Sequence, residues 1–173
     1  MALRWSDFIT PSTLQLAPLI ELLLEPVARG PLRMQLWLGL QEALVNAVNH
    51  GNGGDPAKFL RIRRIETPLW WIWQVQDQGP GLAPQGRQGK LPAQLDAPKG
   101  RGLFLIHHCF DDVRWSPRGN RLQLAISRQR HHCLFTAQPG AGEAVNQPPA
   151  SPEKANPGTT PHDINSWRLG RSA

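Results

Sequence analysis

The sequence predicts an α+β fold, a two-layer sandwich in which an antiparallel or mixed sheet of about five strands carries three helices on one face. Three observations lead there. Residues 58–65 and 69–76 are apolar runs joined by Thr67-Pro68, the pattern of an antiparallel hairpin. Residues 14–27 and 31–49 repeat apolar side chains at helical spacing. A further helix at 103–110 is followed by strands at 112–116 and 121–128. With a short strand at 4–10, the order becomes β-α-α-β-β-loop-α-β-β.

Each element has its own signal. Residues 4–10 (Arg-Trp-Ser-Asp-Phe-Ile-Thr) alternate loosely, and Pro11-Ser12-Thr13 breaks the chain. Leu16, Leu19, Ile20, Leu23 and Leu24 form the stripe of the first helix, which Pro26 and Gly30-Pro31 end. Pro31 is well placed as the first-turn proline of the second helix. Gly51-Asn52-Gly53-Gly54-Asp55-Pro56 stops that helix. Trp70, Trp71, Trp73 and Val75 make the next strand a packing strand, its tryptophans serving the sheet rather than a recognition surface. Residues 78–100 are rich in glycine and proline and read as a functional loop or lid. Pro117-Arg118-Gly119-Asn120 turns the chain between the last two strands.

Length and composition bound the rest. The chain has 173 residues, enough for one domain with its own core, here expected over 1–135. Residues 136–173 lack periodicity and bulky apolar side chains apart from Trp167 and Leu169, the composition of a disordered tail. Two cysteines, Cys109 and Cys133, are too few for a disulfide framework. No apolar stretch approaches the roughly 20 residues of a membrane span, and the first residues carry no signal-peptide core. These features point to a cytoplasmic protein with no membrane association. The net charge of +6 invites a nucleic-acid partner, but the arginines are scattered and do not alternate with aromatics, so none is expected.

Three segments carry chemistry. At 100° per residue, Glu42, Asn46 and Asn49 fall within roughly 60° of one another on the second helix. Trp37, Leu40, Leu44 and Val48 lie opposite, while Leu38 and Val45 flank the polar trio. A carboxylate and two carboxamides among apolar residues suit a site that holds a metal and activates a hydroxyl; taken alone they also suit a solvated face. In Asp77-Gln78-Gly79-Pro80-Gly81, an acid at the end of an apolar strand meets a Gly-x-Gly that lets backbone approach a planar ligand. Alone, that pattern is also a capped turn. In Lys99-Gly100-Arg101-Gly102, glycines lead into a helix N-terminus, an arrangement that suits phosphate.

Together, in this order, Glu42-x-x-x-Asn46, Asp77-x-Gly79-x-Gly81 and Gly100-Arg101-Gly102 resemble the N, G1 and G2 boxes of the GHKL (Bergerat-fold) ATPases, which include histidine kinases and DNA gyrase. The run from Glu42 to Gly51, the run from Gly100 to Ile106 and Phe110-Asp111-Asp112-Val113 resemble more closely the anti-sigma-factor serine/threonine kinases. The resemblance covers roughly residues 4–128. It implies ATP and Mg²⁺ as cofactors, with Glu42 as general base and Asn46 as ligand to the cation. Asp77 would bind the adenine amino group, with Gly79 and Gly81 beside it, and Gly100, Arg101 and Gly102 would hold phosphates under the 78–100 lid. Asn49 and Asn120 complete the nucleotide set; Asn120 stands where the family usually has Thr, and the lid is short. The implied partners are a STAS-type antagonist protein as phosphoryl acceptor and a sigma factor, with homodimers common.

The absence of a phospho-acceptor segment upstream suggests a stand-alone domain rather than part of a histidine kinase. A nucleotide-gated binding module with little transfer activity and a histidine-kinase-like ATPase are the alternatives. His107-His108-Cys109 and His131-His132-Cys133 repeat a tripeptide of zinc-type ligands. Adjacent helical histidines diverge by about 100°, so the repeat is read as coincidence.

Overall fold

A computed structural model describes residues 3–88 and 101–129. Its elements are β1 (Arg4–Pro11), α1 (Ala17–Leu23), α2 (Pro31–Asn46), β2 (Phe59–Glu66), β3 (Trp70–Gln76), α3 (Gly102–Cys109), β4 (Asp112–Trp115) and β5 (Arg121–Ser127). The order β-α-α-β-β-α-β-β is the expected one. The strands form a single sheet in the order β1-β2-β3-β5-β4. Every neighbouring pair is antiparallel, which settles the antiparallel-or-mixed alternative. The expected tail at 136–173 and the tripeptide at 131–133 lie outside the described residues.

The β2–β3 connection shows why the hairpin is tight. Thr67 accepts the amide of Trp70 on its side-chain oxygen at 2.8 Å, while its own amide donates to the Trp70 carbonyl at 2.9 Å. Alternation then sorts the sheet's two faces. On one face Leu60, Ile62, Trp71, Trp73, Val75, Leu122, Leu124 and Ile126 join Ile20, Leu23, Leu40, Leu44 and Ile106 of the three helices in a single core. On the other, Ile65, Ile72 and Ala125 form a small cluster against Trp70, with no helical residue in it.

The first helix is shorter than its apolar periodicity suggests, ending at Leu23 rather than at Val27. Pro26, with no N–H to continue the ladder, sets the stop, and the Arg33 guanidinium donates to the carbonyls of Leu24 and Val27, which are thereby satisfied outside a helix. Two sheet residues take up carbonyls of the preceding turn. Trp73, fully buried, donates its indole N–H to Leu23 at 3.0 Å, and Arg64 donates to Leu22 at 2.7 Å. Arg64 is buried beside Glu66 and over the Phe8 ring, and Arg63 is paired with Asp7 at 2.7 Å. Buried Arg64 thus ties the sheet to the end of α1, while the Arg63–Asp7 pair is a partly exposed bridge between β2 and β1. Trp71 and Trp73 lie in the core, as a packing strand requires.

Helix α2 does not end simply. Residues Ala47–Gly51 form a π-helical turn, in which the backbone widens by one residue. Asn52 follows it, almost fully buried, with every side-chain group engaged. Its amide donates to Ser12 at 3.1 Å and to the Phe59 carbonyl at 3.2 Å, and its oxygen accepts the Gln78 amide at 2.8 Å. The segment just after β3 is thus fastened to the end of α2.

Candidate functional site

One pocket of about 250 Å³ opens between α2, α3 and the end of the sheet. Asn46, His50, Gly51, Asp77, Gly81, Gly102 and Gly119 line it, together with the apolar side chains of Val75, Leu82, Leu103, Trp115 and Leu122. Residues far apart in the chain meet here because β3 and β5 pair in register, with Val75 beside Leu122.

Asp77 is held from three sides. Its amide donates to the Asn120 carbonyl at 3.1 Å, and the Asn120 side-chain amide donates back to the Asp77 carbonyl at 3.3 Å. Its carboxylate accepts the Gly79 amide at 2.8 Å. Gly51 lies directly against the Asp77 side chain, and Gly79 lies against the Gly51 carbonyl. Burial pushes the Asp77 carboxyl above the usual range, opposed by the Gly79 hydrogen bond and by the charges of Arg118 and Lys58. A half-buried carboxylate at a pocket wall, bonded by a glycine amide, is ready to accept further hydrogen bonds from a ligand.

The loop after Asp77 is moored at its start. Leu82 donates its amide to Gly119 at 3.0 Å. Residues Pro84–Arg87 form a short 3₁₀ turn, from which Arg87 donates to Leu82 at 2.8 Å and to the Pro117 carbonyl at 3.0 Å. His107 of α3 lies 3.2 Å from the Arg87 carbonyl. The first part of this loop is thereby tied to both the β4–β5 turn and α3.

At the opposite wall, α3 starts at Gly102. A Cβ on Gly102 would stand 2.8 Å from the Glu42 carboxylate and 3.3 Å from the Asn46 carboxamide. Both side chains of the first motif thus face the helix start that carries the third. The first N–H groups of α3 and its positive dipole end favour an anion there.

The expected residues are placed unequally. Asn46, Asp77, Gly81 and Gly102 line the pocket; Glu42 lies beside it, against Gly102; Gly79 and Asn120 support Asp77. Arg101 is exposed at the N-cap of α3. Gly100 lies outside the described residues. Asn49 is exposed and lines no part of the pocket, where His50 and Gly51 stand instead. The π-helical turn is the reason: one extra residue in the turn breaks the uniform 100° step that put Asn49 beside Glu42 and Asn46. His50, Leu82, Leu103 and Trp115 were not anticipated, since single apolar residues and a helix-end histidine carry no motif of their own. The histidines of the first tripeptide are both on α3, and Cys109 is buried. Among the described residues no group of three or more His, Cys, Asp or Glu could hold a metal ion.

A family model for the histidine kinase-like ATPase domain matches residues 21–126, spanning all three motifs. The chain belongs to that family. No curated protein matches it. Histidine kinase-like ATPase domains bind ATP, and the pocket offers what that ligand asks: a carboxylate acceptor, apolar walls for a base, and a helix N-terminus for phosphates. The Asn46 carboxamide oxygen is a donor suited to a hard cation such as Mg²⁺. Among the described residues no helix is long and apolar enough to cross a membrane.

Asp77→Asn tests the carboxylate in two directions. Replacing an ionised acceptor removes a charge-assisted hydrogen bond of about 1.5–3 kcal/mol, so ATP affinity should fall about tenfold to hundredfold. The folded state raises the carboxyl pKa, so ionised Asp77 destabilises the fold. That penalty is present above the folded pKa and fades as pH falls through it toward the unfolded value. Asp77→Asn should therefore melt higher than wild type near pH 7, with the gap closing in acid. Titration calorimetry and thermal unfolding across pH check both; a lower melting temperature at neutral pH contradicts the buried-charge account.

Proposed function

We propose that this histidine kinase-like ATPase domain is an anti-sigma-type serine/threonine protein kinase. It would phosphorylate a small STAS-type antagonist protein in the cytoplasm and regulate transcription by partner switching with a sigma factor. The observation that carries the reading is the meeting of Glu42, Asn46 and Gly102, which sets a carboxylate beside the helix start suited to phosphates.

When bound, MgATP supplies the γ-phosphoryl group and a cation that offsets charge on its oxygens. The protein's own groups then have separate tasks. Asp77 accepts a hydrogen bond from the adenine amino group. Asn46 offers its carboxamide oxygen to the cation. The amides at the start of α3, with Gly100 and Arg101 before it, receive phosphate oxygens. Glu42 would take the proton from the attacking serine or threonine hydroxyl, whose oxygen would receive the γ-phosphoryl group as ADP leaves.

The test is capture of partners on the full chain with ATP and with ADP, followed by phosphosite mapping of what is retained. Retention that depends on the nucleotide, with phosphoserine or phosphothreonine appearing only with ATP, is the expected outcome. Retention of nothing in either state, or retention without phosphate, speaks against the kinase circuit.

A further inference from the structure

Trp115 ends β4 and lines the pocket, although none of the three motifs includes it. Sheet register places it beside Leu122, and Leu122 beside Val75. All three side chains line the pocket. Neighbouring strands lie about 4.8 Å apart, so this row makes an apolar floor about 10 Å across. Asp77 stands at the Val75 side, two residues further along the chain, and Trp115 stands at the far side. The indole N–H is buried and, among the described residues, has no hydrogen-bond partner. Packing alone holds the ring, and replacing it breaks no hydrogen bond.

We propose that Trp115 is a specificity-determining residue that selects a purine over a pyrimidine nucleotide. The inference rests on nucleotide binding in this pocket. A base anchored by its amino group at Asp77 lies along the floor toward Trp115. The fused second ring of a purine extends the base toward the indole, whereas a single pyrimidine ring stops over Val75 and Leu122. The gain is ring contact and apolar burial, which a shorter base forgoes.

The experiment measures ATP and CTP affinity of the full chain by titration calorimetry, for wild type, W115L and W115F, with melting temperatures alongside. Wild type should prefer ATP. W115L should lose about tenfold in ATP affinity, as expected for one aromatic contact, with CTP affinity little changed and a melting temperature lowered by the lost packing of the ring against the core. W115F should retain part of the preference. An unchanged ATP-to-CTP ratio in W115L, or an equal loss of both nucleotides, overturns the role of Trp115. If W115L does not fold, photolabelling of wild type with 8-azido-ATP decides: label on the β4 segment is expected, and label only elsewhere overturns the proposal. Wild type that binds neither nucleotide refutes nucleotide binding itself, a result distinct from binding with an unshifted ratio.

Discussion

Glu42→Ala is expected to slow phosphoryl transfer by about 10²–10⁴-fold, the usual contribution of a positioned general base. ATP affinity should stay close to that of wild type. The separation follows from where the side chain stands. Glu42 does not line the pocket, whereas Asn46 and Asp77 do. Its carboxylate lies against Gly102, at the start of α3, where the acceptor hydroxyl would have to approach the phosphates. Single-turnover transfer from labelled ATP to the captured partner measures the rate, and calorimetry measures binding. Unchanged transfer would remove Glu42 from the role of base. If wild type itself transfers no phosphate while still holding a partner in a nucleotide-dependent way, the domain is a binding switch.

Gly81→Ala should damage both stability and binding. Gly81 has φ of +91°, a conformation that an L-residue occupies only at a cost of about 1–3 kcal/mol. Strain is the smaller part of the effect. A Cβ at Gly81 would overlap the Arg118 carbonyl oxygen, which is backbone and cannot rotate away. Relief requires the 118–120 turn to withdraw, and that turn carries the Asn120 contacts to Asp77 and the Gly119 carbonyl that anchors Leu82. The expected result is a melting temperature lowered by several degrees and ATP affinity reduced at least about tenfold, consistent with displacement of one hydrogen-bonding wall. Gly81→Ala with wild-type affinity and melting temperature would show that the loop is not seated on the turn as described.

The two substitutions differ in how far they could be foreseen. Glu42 belongs to a motif whose spacing alone puts it near Asn46 on one helix face. The intolerance at Gly81 was visible only as a Gly-x-Gly, a pattern shared with ordinary turns. What makes it severe is the approach of Arg118, a residue 37 positions later in the chain. Asn49 is the opposite case. Helical periodicity assigned it to the site, and a π-helical turn that nothing in the local composition announces moved His50 and Gly51 there instead.

By itself the sequence determined the order and type of the elements, because apolar spacing and Gly/Pro punctuation are local signals. It also identified the three motifs, since each is contained within one helix, one strand end or one helix start. Tertiary structure alone decided what closes the site. Trp115, Leu122 and Val75 form a floor only because β4, β5 and β3 are paired in that register. Asn52 joins the end of α2 to the start of β2, the segment after β3 and the end of β1 through hydrogen bonds spanning 7, 26 and 40 residues. The carboxyl of Asp77 is raised by burial, a property of packing that no residue possesses in isolation. Spacing along a chain can record which groups are available. Distances across the sheet, set by register and by buried hydrogen bonds, determine which of them meet.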